Sequence, residues 1–371
     1  MLENNTVYTI LEMINRNPKV AMDLFPSAVS GFMLQEGKKN KIDMYSHHPI
    51  KYDWSYDNQG NPEFMNLYRK AKKNQWDSED LKWETSVDPQ NMNLQIFPEK
   101  LQPMYSHSAY QKLDKKEKAK MLHMTISWLL SNFLHGEQAA LYTASMTVEA
   151  TPWLGAKYYG ATQVMDEARH VEVFEKYLKT KLEKMYSIND NLFVIIKALT
   201  TTSEWDIKFL GMQIMIEGLA LGAFGIIYKF TQEPLLKELL KRVIADEARH
   251  VHYGVEALRD FYKKEIVETL RQEREDWAYE ISKLLRDRFL FLEFYEENFA
   301  HVMSRKEWIE MVMTSPIMEE FRINLFSRLI PNLKAIGLLS SRIKPRYEQL
   351  GLLRFEYEKS ADKLTLNELL N

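Results

Sequence analysis

The pentapeptide Asp-Glu-Ala-Arg-His stands at residues 166–170, and the same five residues recur at 246–250. Another glutamate lies 30 residues before the glutamate of each copy, and each of them interrupts an apolar stretch: Glu137 in the first half and Glu217 in the second. Corresponding positions in the two halves are therefore 80 residues apart. One Glu-x-x-His sequence occurs easily by chance, but two identical copies with equally spaced glutamates indicate a duplicated structural unit.

The first half has the pattern of two antiparallel helices. Residues 121–149 place apolar side chains on one face at steps of three, four and seven, and Glu137 is the only charged member of that face. Thr151 and Pro152 follow as a predicted N-cap and first residue of the next helix. Because Pro152 lies midway between Glu137 and Glu167, a reversal there brings both glutamates to the same height.

The second half repeats this pattern, with Glu217 on an apolar face, a turn at Thr231 and Pro234, and Glu247 and His250 on the returning helix. The three-residue spacing of Glu and His puts both side chains on one face of their helix. Four buried carboxylates at one level would repel one another, and two metal cations would remove that repulsion. The predicted metal ligands are Glu137, Glu167, His170, Glu217, Glu247 and His250, and we predict no catalytic residue beyond them.

Two inward glutamates and two Glu-x-x-His pairs on four helices resemble the centre of ferritin-like di-iron and di-manganese proteins. The predicted fold is therefore all-α, with a ferritin-like four-helix bundle core and additional flanking helices. We divide the chain into an N-terminal covering segment of loops and short helices (1–105), the di-metal bundle (106–260) and a C-terminal helical extension packed on it (261–371).

The remaining charged residues of the two pentapeptides are candidates for supporting the ligands. A metal-bound histidine usually donates its second N–H to a carboxylate. We predict that Asp166 and Asp246 each serve the histidine of the opposite repeat, and that Arg169 and Arg249 balance their charge. A structural salt-bridge network of the same four residues is compatible with this prediction.

A substrate pocket beside the metals would be lined by Leu141, Phe174 and Leu221, which lie one helical turn from predicted ligands. All three side chains are apolar and would exclude water. A fully packed core is the alternative interpretation, and the sequence does not decide between the two.

Composition narrows the classes of function. The 371 residues include no cysteine, which excludes disulfides and thiolate-bound metals and suggests a separate electron donor. A net charge of -3 argues against nucleic-acid binding. The N-terminus lacks the pattern of a secretory signal, and the apolar stretch 207–228 carries Glu217 at its middle, so we interpret it as a buried helix and expect a cytoplasmic protein without a membrane span.

The sequence Gly136-Glu137-Gln138-Ala139-Ala140, followed by the pentapeptide at 166–170, resembles the ferritin-like di-iron oxygenase superfamily. Its members include the large hydroxylase subunits of multicomponent monooxygenases, the small subunits of ribonucleotide reductase and the arylamine N-oxygenases. The resemblance covers roughly residues 120–260. It implies two iron ions (manganese with iron is an alternative) on the six predicted ligands, dioxygen as co-substrate, a ferredoxin or flavin reductase as electron donor, and a homodimer as an assembly to test.

Three departures leave the subgroup open. Phe174 stands where ribonucleotide reductases have a radical tyrosine, and Leu221 where the hydroxylases have a threonine. Val243 replaces an extra histidine ligand of the arylamine N-oxygenases, which we take as evidence against that subgroup. The expected function is oxidation of a small organic substrate with dioxygen, by hydroxylation, desaturation or N-oxygenation. The alternatives are a ferroxidase or iron-handling protein and a radical-generating protein.

Overall fold

The computed structural model describes residues 17–91 and 96–370. Within these ranges the regular elements are helices and no strand occurs, which confirms the all-α prediction. Residues 1–16, on which the prediction of no secretory signal rests, lie outside the described residues.

The helices follow one another along the chain with short connections. In order they are α1 (Pro18–Ala28), α2 (Pro62–Lys73), α3 (Ser108–Gln111), α4 (Lys115–Ala150), α5 (Leu154–Tyr177), α6 (Asp190–Thr201), α7 (Trp205–Phe230), α8 (Pro234–Asp260), α9 (Glu268–Asp287), α10 (Leu292–Asn298), α11 (Arg305–Thr314), α12 (Pro316–Leu325), α13 (Leu329–Ile336), α14 (Lys344–Gln349) and α15 (Leu366–Leu370). Helices α4, α5, α7 and α8 form the bundle that carries the duplicated sequence.

The turn between α4 and α5 differs from its predicted form. Thr151 ends α4 as its C-cap, and α5 begins at Leu154, so the predicted N-cap at Thr151 is wrong. The first N–H groups of α5 are satisfied by the chain before the bundle, because the carbonyl of Asn58 accepts from Leu154 N (2.8 Å) and that of Gln59 from Gly155 N (3.2 Å). A distant backbone segment takes the place of a side-chain cap.

The turn between α7 and α8 has the predicted form. Thr231 ends α7 and Pro234 is the first residue of α8. Glu233 is the N-cap, and its carboxylate accepts hydrogen bonds from the N–H groups of Leu235 (2.8 Å) and Leu236 (2.6 Å). Both helix pairs of the bundle are thus closed by short connections.

Helix α7 is the apolar centre of the bundle. Among the described residues it is the one helix long and apolar enough to cross a membrane, but 83% of its most apolar window is buried inside the protein. It contains a π-helical stretch, Leu210–Ile216, directly before Glu217. Each π turn holds one more residue than an α turn, so this stretch changes which side chains share the inward face with Glu217.

The flanking helices cover the bundle from two sides. Helix α2 packs on α5 and α8, burying Phe64, Leu67 and Ala71. On the C-terminal side, α9 packs on α6 and on the π-helical part of α7, α12 on α7, and α13 on α8. Both flanks therefore help to enclose the part of the bundle that carries the four glutamates.

Candidate metal centre

The structure brings all six predicted ligands together in the middle of the bundle. Their ligand atoms form two groups within 4.8 Å, Glu137 with Glu167, His170 and Glu247, and Glu167 with Glu217, Glu247 and His250. Glu167 and Glu247 belong to both groups, so each would be within reach of a cation held in either one. All six side chains are buried, and Glu137 is the most exposed at 5%.

The two histidines turn the same ring nitrogen toward the carboxylates. His170 Nδ1 lies 3.3 Å from Glu137 Oε2 and 3.1 Å from Glu247 Oε1. His250 Nδ1 lies 3.0 Å from Glu167 Oε1. The centroids of the two imidazole rings are 5.8 Å apart, so each ring faces one of the two groups. Nδ1 is therefore the nitrogen available to a metal on both residues.

The other ring nitrogen of each histidine meets the aspartate of the opposite repeat. His170 Nε2 lies 3.2 Å from Asp246 Oδ2, and His250 Nε2 lies 3.3 Å from Asp166 Oδ2. A carboxylate only accepts, so Nε2 of each ring donates to it, which leaves Nδ1 as the nitrogen that would bind a metal. This crossed pairing has the geometry that the sequence predicts; its effect on metal binding remains a prediction.

Both arginines bind both aspartates. Arg169 Nη2 donates to Asp166 (2.5 Å) and Asp246 (3.1 Å), and Arg249 Nη2 donates to Asp246 (2.5 Å) and Asp166 (3.2 Å). Burial alone would raise the pKa of Asp246, but its hydrogen bond with His170 and the charge of Arg249 outweigh burial and lower that pKa. The aspartates therefore stay ionised and remain acceptors.

The donor set fits two cations. Burial and the charge of Glu247 raise the pKa of Glu137 well above its usual range, and burial does the same for Glu217. Several buried atoms also have no hydrogen-bond partner: Glu167 Oε2, Glu217 Oε2, both carboxylate oxygens of Glu247 and His250 Nδ1. Unpartnered buried acceptors are destabilising, and cations held by the two groups would provide partners for them.

Two glutamines that were not predicted from the sequence contribute to this centre. Gln163 Nε2 donates to Glu217 Oε1 (2.9 Å) and lies 3.2 Å from Glu167 Oε1, and Gln213 Nε2 donates to Gln163 Oε1 (3.3 Å). Gln163 stands four residues before Glu167 on one α-helix, a spacing that places both on one face and was a usable signal. Gln163 holds the carboxylates of Glu167 and Glu217 in place, and Gln213 holds Gln163.

The three residues predicted to line a substrate pocket have different surroundings. Phe174 is fully buried and stacks on Phe224 with centroids 5.7 Å apart. Leu221 is 3% exposed, whereas Leu141 is half-buried. A cavity of about 480 Å³ lies elsewhere, lined by Gln35, Lys38, Met185, Tyr186, Ser187, Glu293, Glu296 and Glu297. The pocket beside the metals therefore remains a prediction.

Comparison with known protein families matches residues 61–337 to the family described as P-aminobenzoate N-oxygenase AurF. No curated protein matches the chain. The family match shows that our inference from Val243 was wrong, because the missing histidine does not place the chain outside the arylamine N-oxygenases. Val243 is fully buried and apolar, which leaves six candidate ligands at this centre. With most of its length matched and a donor set suited to two metals, the chain belongs to the p-aminobenzoate N-oxygenase family and is a di-iron oxygenase that uses dioxygen to oxidise an organic substrate.

Proposed function

We propose that this protein inserts one oxygen atom from dioxygen into the amino group of an arylamine. In the first turnover the arylamine, dioxygen, two electrons and two protons give the aryl hydroxylamine and water. The family match over residues 61–337 is the single observation that carries this choice among the possible oxidations. The natural arylamine is a substrate of the same chemical class as aminobenzoate.

Glu137 and His170 would hold one iron, Glu217 and His250 would hold the other, and Glu167 and Glu247 would be within reach of both. Iron bound at this buried site would supply the redox chemistry that reduces dioxygen. The chain's own residues orient this centre: the aspartates keep each histidine proton on Nε2, and Gln163 positions Glu217. Leu141, Phe174 and Leu221 exclude water on the substrate side.

The remaining features of the proposal concern the whole protein. Electrons come from a separate ferredoxin or flavin reductase, because the chain has no cysteine to hold an iron–sulfur cluster. The protein acts in the cytoplasm as a homodimer. Residues 1–105 cover the di-metal bundle formed by residues 106–260, and residues 261–371 are an extension packed on it.

The experiment is single-turnover oxidation of p-aminobenzoate and a panel of other anilines by chemically reduced, iron-loaded protein under ¹⁸O₂. Mass spectrometry should find one labelled oxygen on the nitrogen of the product. Metal-free protein and a Glu217→Ala variant are the controls, and both should give none. Labelled oxygen on ring or alkyl carbon, with the amine intact, would show that the protein is an oxygenase of a different substrate class.

A further inference from the structure

Two consecutive residues of the N-terminal segment reach the aspartates behind the histidines. They follow directly on α2 and its C-cap Asn74. The indole N–H of Trp76 donates to Asp246 Oδ2 at 2.8 Å, and Gln75 Nε2 donates to Asp166 Oδ1 at 3.0 Å. One short stretch of backbone outside the bundle therefore contacts both halves of the duplicated site.

Each of these contacts leads to a different group of candidate ligands. Trp76 binds the same oxygen of Asp246 that accepts from His170 Nε2, and His170 faces Glu137. Gln75 binds Asp166, whose other oxygen meets His250. The two arginines join the aspartates to each other, but Trp76 contacts the aspartate of one histidine and Gln75 contacts the aspartate of the other.

Arg169 joins the two residues to the bundle. Its Nη1 donates to Gln75 Oε1 at 2.9 Å, and its guanidinium lies 4.5 Å from the centre of the Trp76 ring. Arg242 lies on the same indole at 5.3 Å. The indole thus has cationic neighbours that fix its plane, and this plane sets the direction of its N–H toward Asp246.

The segment on either side of Gln75 and Trp76 is anchored to the bundle. Before it, Asn61 at the start of α2 donates to Glu256 on α8 (2.6 Å), and Phe64 is buried under the helix. After it, Ser78 donates to Glu172 on α5 (2.6 Å), and Lys176 pairs with Glu79 (2.6 Å). The backbone at 75–76 is therefore held over α5 and α8 at the level of the aspartates.

We propose that Gln75 and Trp76 are positioning residues for the di-iron centre, with Trp76 orienting the Asp246–His170 pair and Gln75 orienting the Asp166–His250 pair. The proposal rests on the ligand assignment given above. A carboxylate free to rotate would lose its alignment with the histidine N–H, and the imidazole ring would then be less firmly oriented for metal binding through Nδ1. Trp76 also adds a hydrogen bond to the same Asp246 Oδ2 that meets His170 Nε2, which restricts the rotation of that carboxylate.

The test uses Trp76→Phe, which keeps an aromatic ring but removes the N–H donor, and Gln75→Met, which keeps the length of the side chain but removes both the donor and the acceptor of the amide. Trp83→Phe is the matched control, because Trp83 belongs to the same segment and its N–H donates to the carbonyl of Ser78 instead (2.8 Å). Iron(II) titration and Mössbauer spectra of ⁵⁷Fe-loaded, reduced protein are the measurements, together with melting of the metal-free forms.

Trp76→Phe should weaken one of the two irons about threefold to tenfold, less than the loss expected for the aspartate itself, and should shift one of two quadrupole doublets. Gln75→Met should affect the other iron, and Trp83→Phe neither. Unchanged affinity and spectra in both variants, or lower melting of the metal-free forms with unchanged spectra, would overturn the proposal and leave a packing role. Wild-type protein that binds fewer than two irons would instead refute the ligand assignment.

Discussion

At the scale of single residues, we expect the crossed pairing of histidine and aspartate to strengthen metal binding at the centre. Asp246→Asn and Asp166→Asn keep the shape of the side chain but weaken the acceptor for Nε2. We expect each to lower iron affinity about 10–100-fold in a competition titration. Asp362→Asn is the control, since Asp362 pairs with Arg259 away from the centre (2.5 Å). Equal affinities in all three variants would show that the aspartates serve only the ion-pair network.

Sequence spacing was sufficient to find the six clustered side chains, because helical periodicity converts a three-residue interval into a shared face. It was not sufficient for Trp76, whose contact with Asp246 depends on how a segment 170 residues away folds over the bundle. Gln213 was missed for a different reason. Its inward direction depends on the π-helical stretch before Glu217, and no simple sequence pattern indicates that stretch.

Lys208 is a buried ammonium with little compensation. Among the described residues its Nζ contacts the carbonyl of Leu199 (3.2 Å) and the sulfur of Met146 (3.5 Å), and burial lowers its pKa to about 8. Lys208→Met should therefore raise the free energy of unfolding at neutral pH by about 1–3 kcal/mol, because no charge has to be desolvated.

The pH dependence of that gain has a definite sign. The pKa of Lys208 is about 8 in the folded protein and near 10.5 in the unfolded chain, so between these values only the unfolded chain binds the proton. Wild-type stability then rises with pH, and the advantage of Lys208→Met shrinks over the same interval. Urea unfolding at about pH 7 and about pH 10 measures this difference. A constant advantage at both pH values would contradict the lowered pKa.

At the scale of helices, the pattern of apolar residues and prolines located the bundle, but the ends of α4 and α5 were set by contacts the local sequence does not contain. The Thr151-Pro152 pair has the composition of a helix start, yet α5 begins at Leu154 because carbonyls of Asn58 and Gln59 satisfy its first N–H groups. At the other turn Pro234 and Glu233 provide the start locally, and the prediction is right. Local sequence therefore predicts the start of a helix correctly where the groups that cap it are also local in sequence.

Helix packing at α7 gives a matched pair of substitutions. A Cβ atom on Gly222 would lie 2.6 Å from the carbonyl oxygen of Leu325 in α12, whereas one on Gly225 would lie 3.7 Å from that of Leu369. Gly222→Ala should lower the free energy of unfolding by about 1–3 kcal/mol through overpacking. Gly225→Ala should raise it by about 0.5–1 kcal/mol, since alanine favours the helix. Equal effects in chemical denaturation would mean that α12 does not approach α7 this closely.

At the scale of the whole molecule, the duplicated pentapeptide accounts for the core of the fold, and the flanks account for its enclosure. The spacing of the repeats predicted two helix pairs with their glutamates at one level. It contained no information on how α2, α9, α12 and α13 would pack, because those contacts bring together residues far apart in sequence. The enclosure matters for function, since it removes water from the four carboxylates and so strengthens their electrostatic attraction for cations.

Folding stability and metal content should therefore change together. Removing iron by chelation leaves buried carboxylates unpartnered, so the metal-free protein should melt at a lower temperature while keeping its helical circular dichroism at room temperature. With free iron at about 1,000 times its dissociation constant, binding at one site should raise the free energy of unfolding by about 4 kcal/mol. Full loading should correspond to two metals per chain by elemental analysis, with manganese accepted beside iron.

Glu217→Gln separates the effect of burying a carboxyl group on the stability of the metal-free protein from the stabilisation that iron binding adds. Burial already raises the pKa of Glu217 well above its usual range, so replacing the carboxyl group with a neutral amide should leave the metal-free protein as stable as wild type or more stable. The variant should gain much less on iron addition, because one group of ligands has lost its non-bridging carboxylate. The melting curves of the two proteins should therefore lie close together without iron and separate when iron is added. A variant that gains as much as wild type would show that iron stabilises the protein at a site other than this cluster.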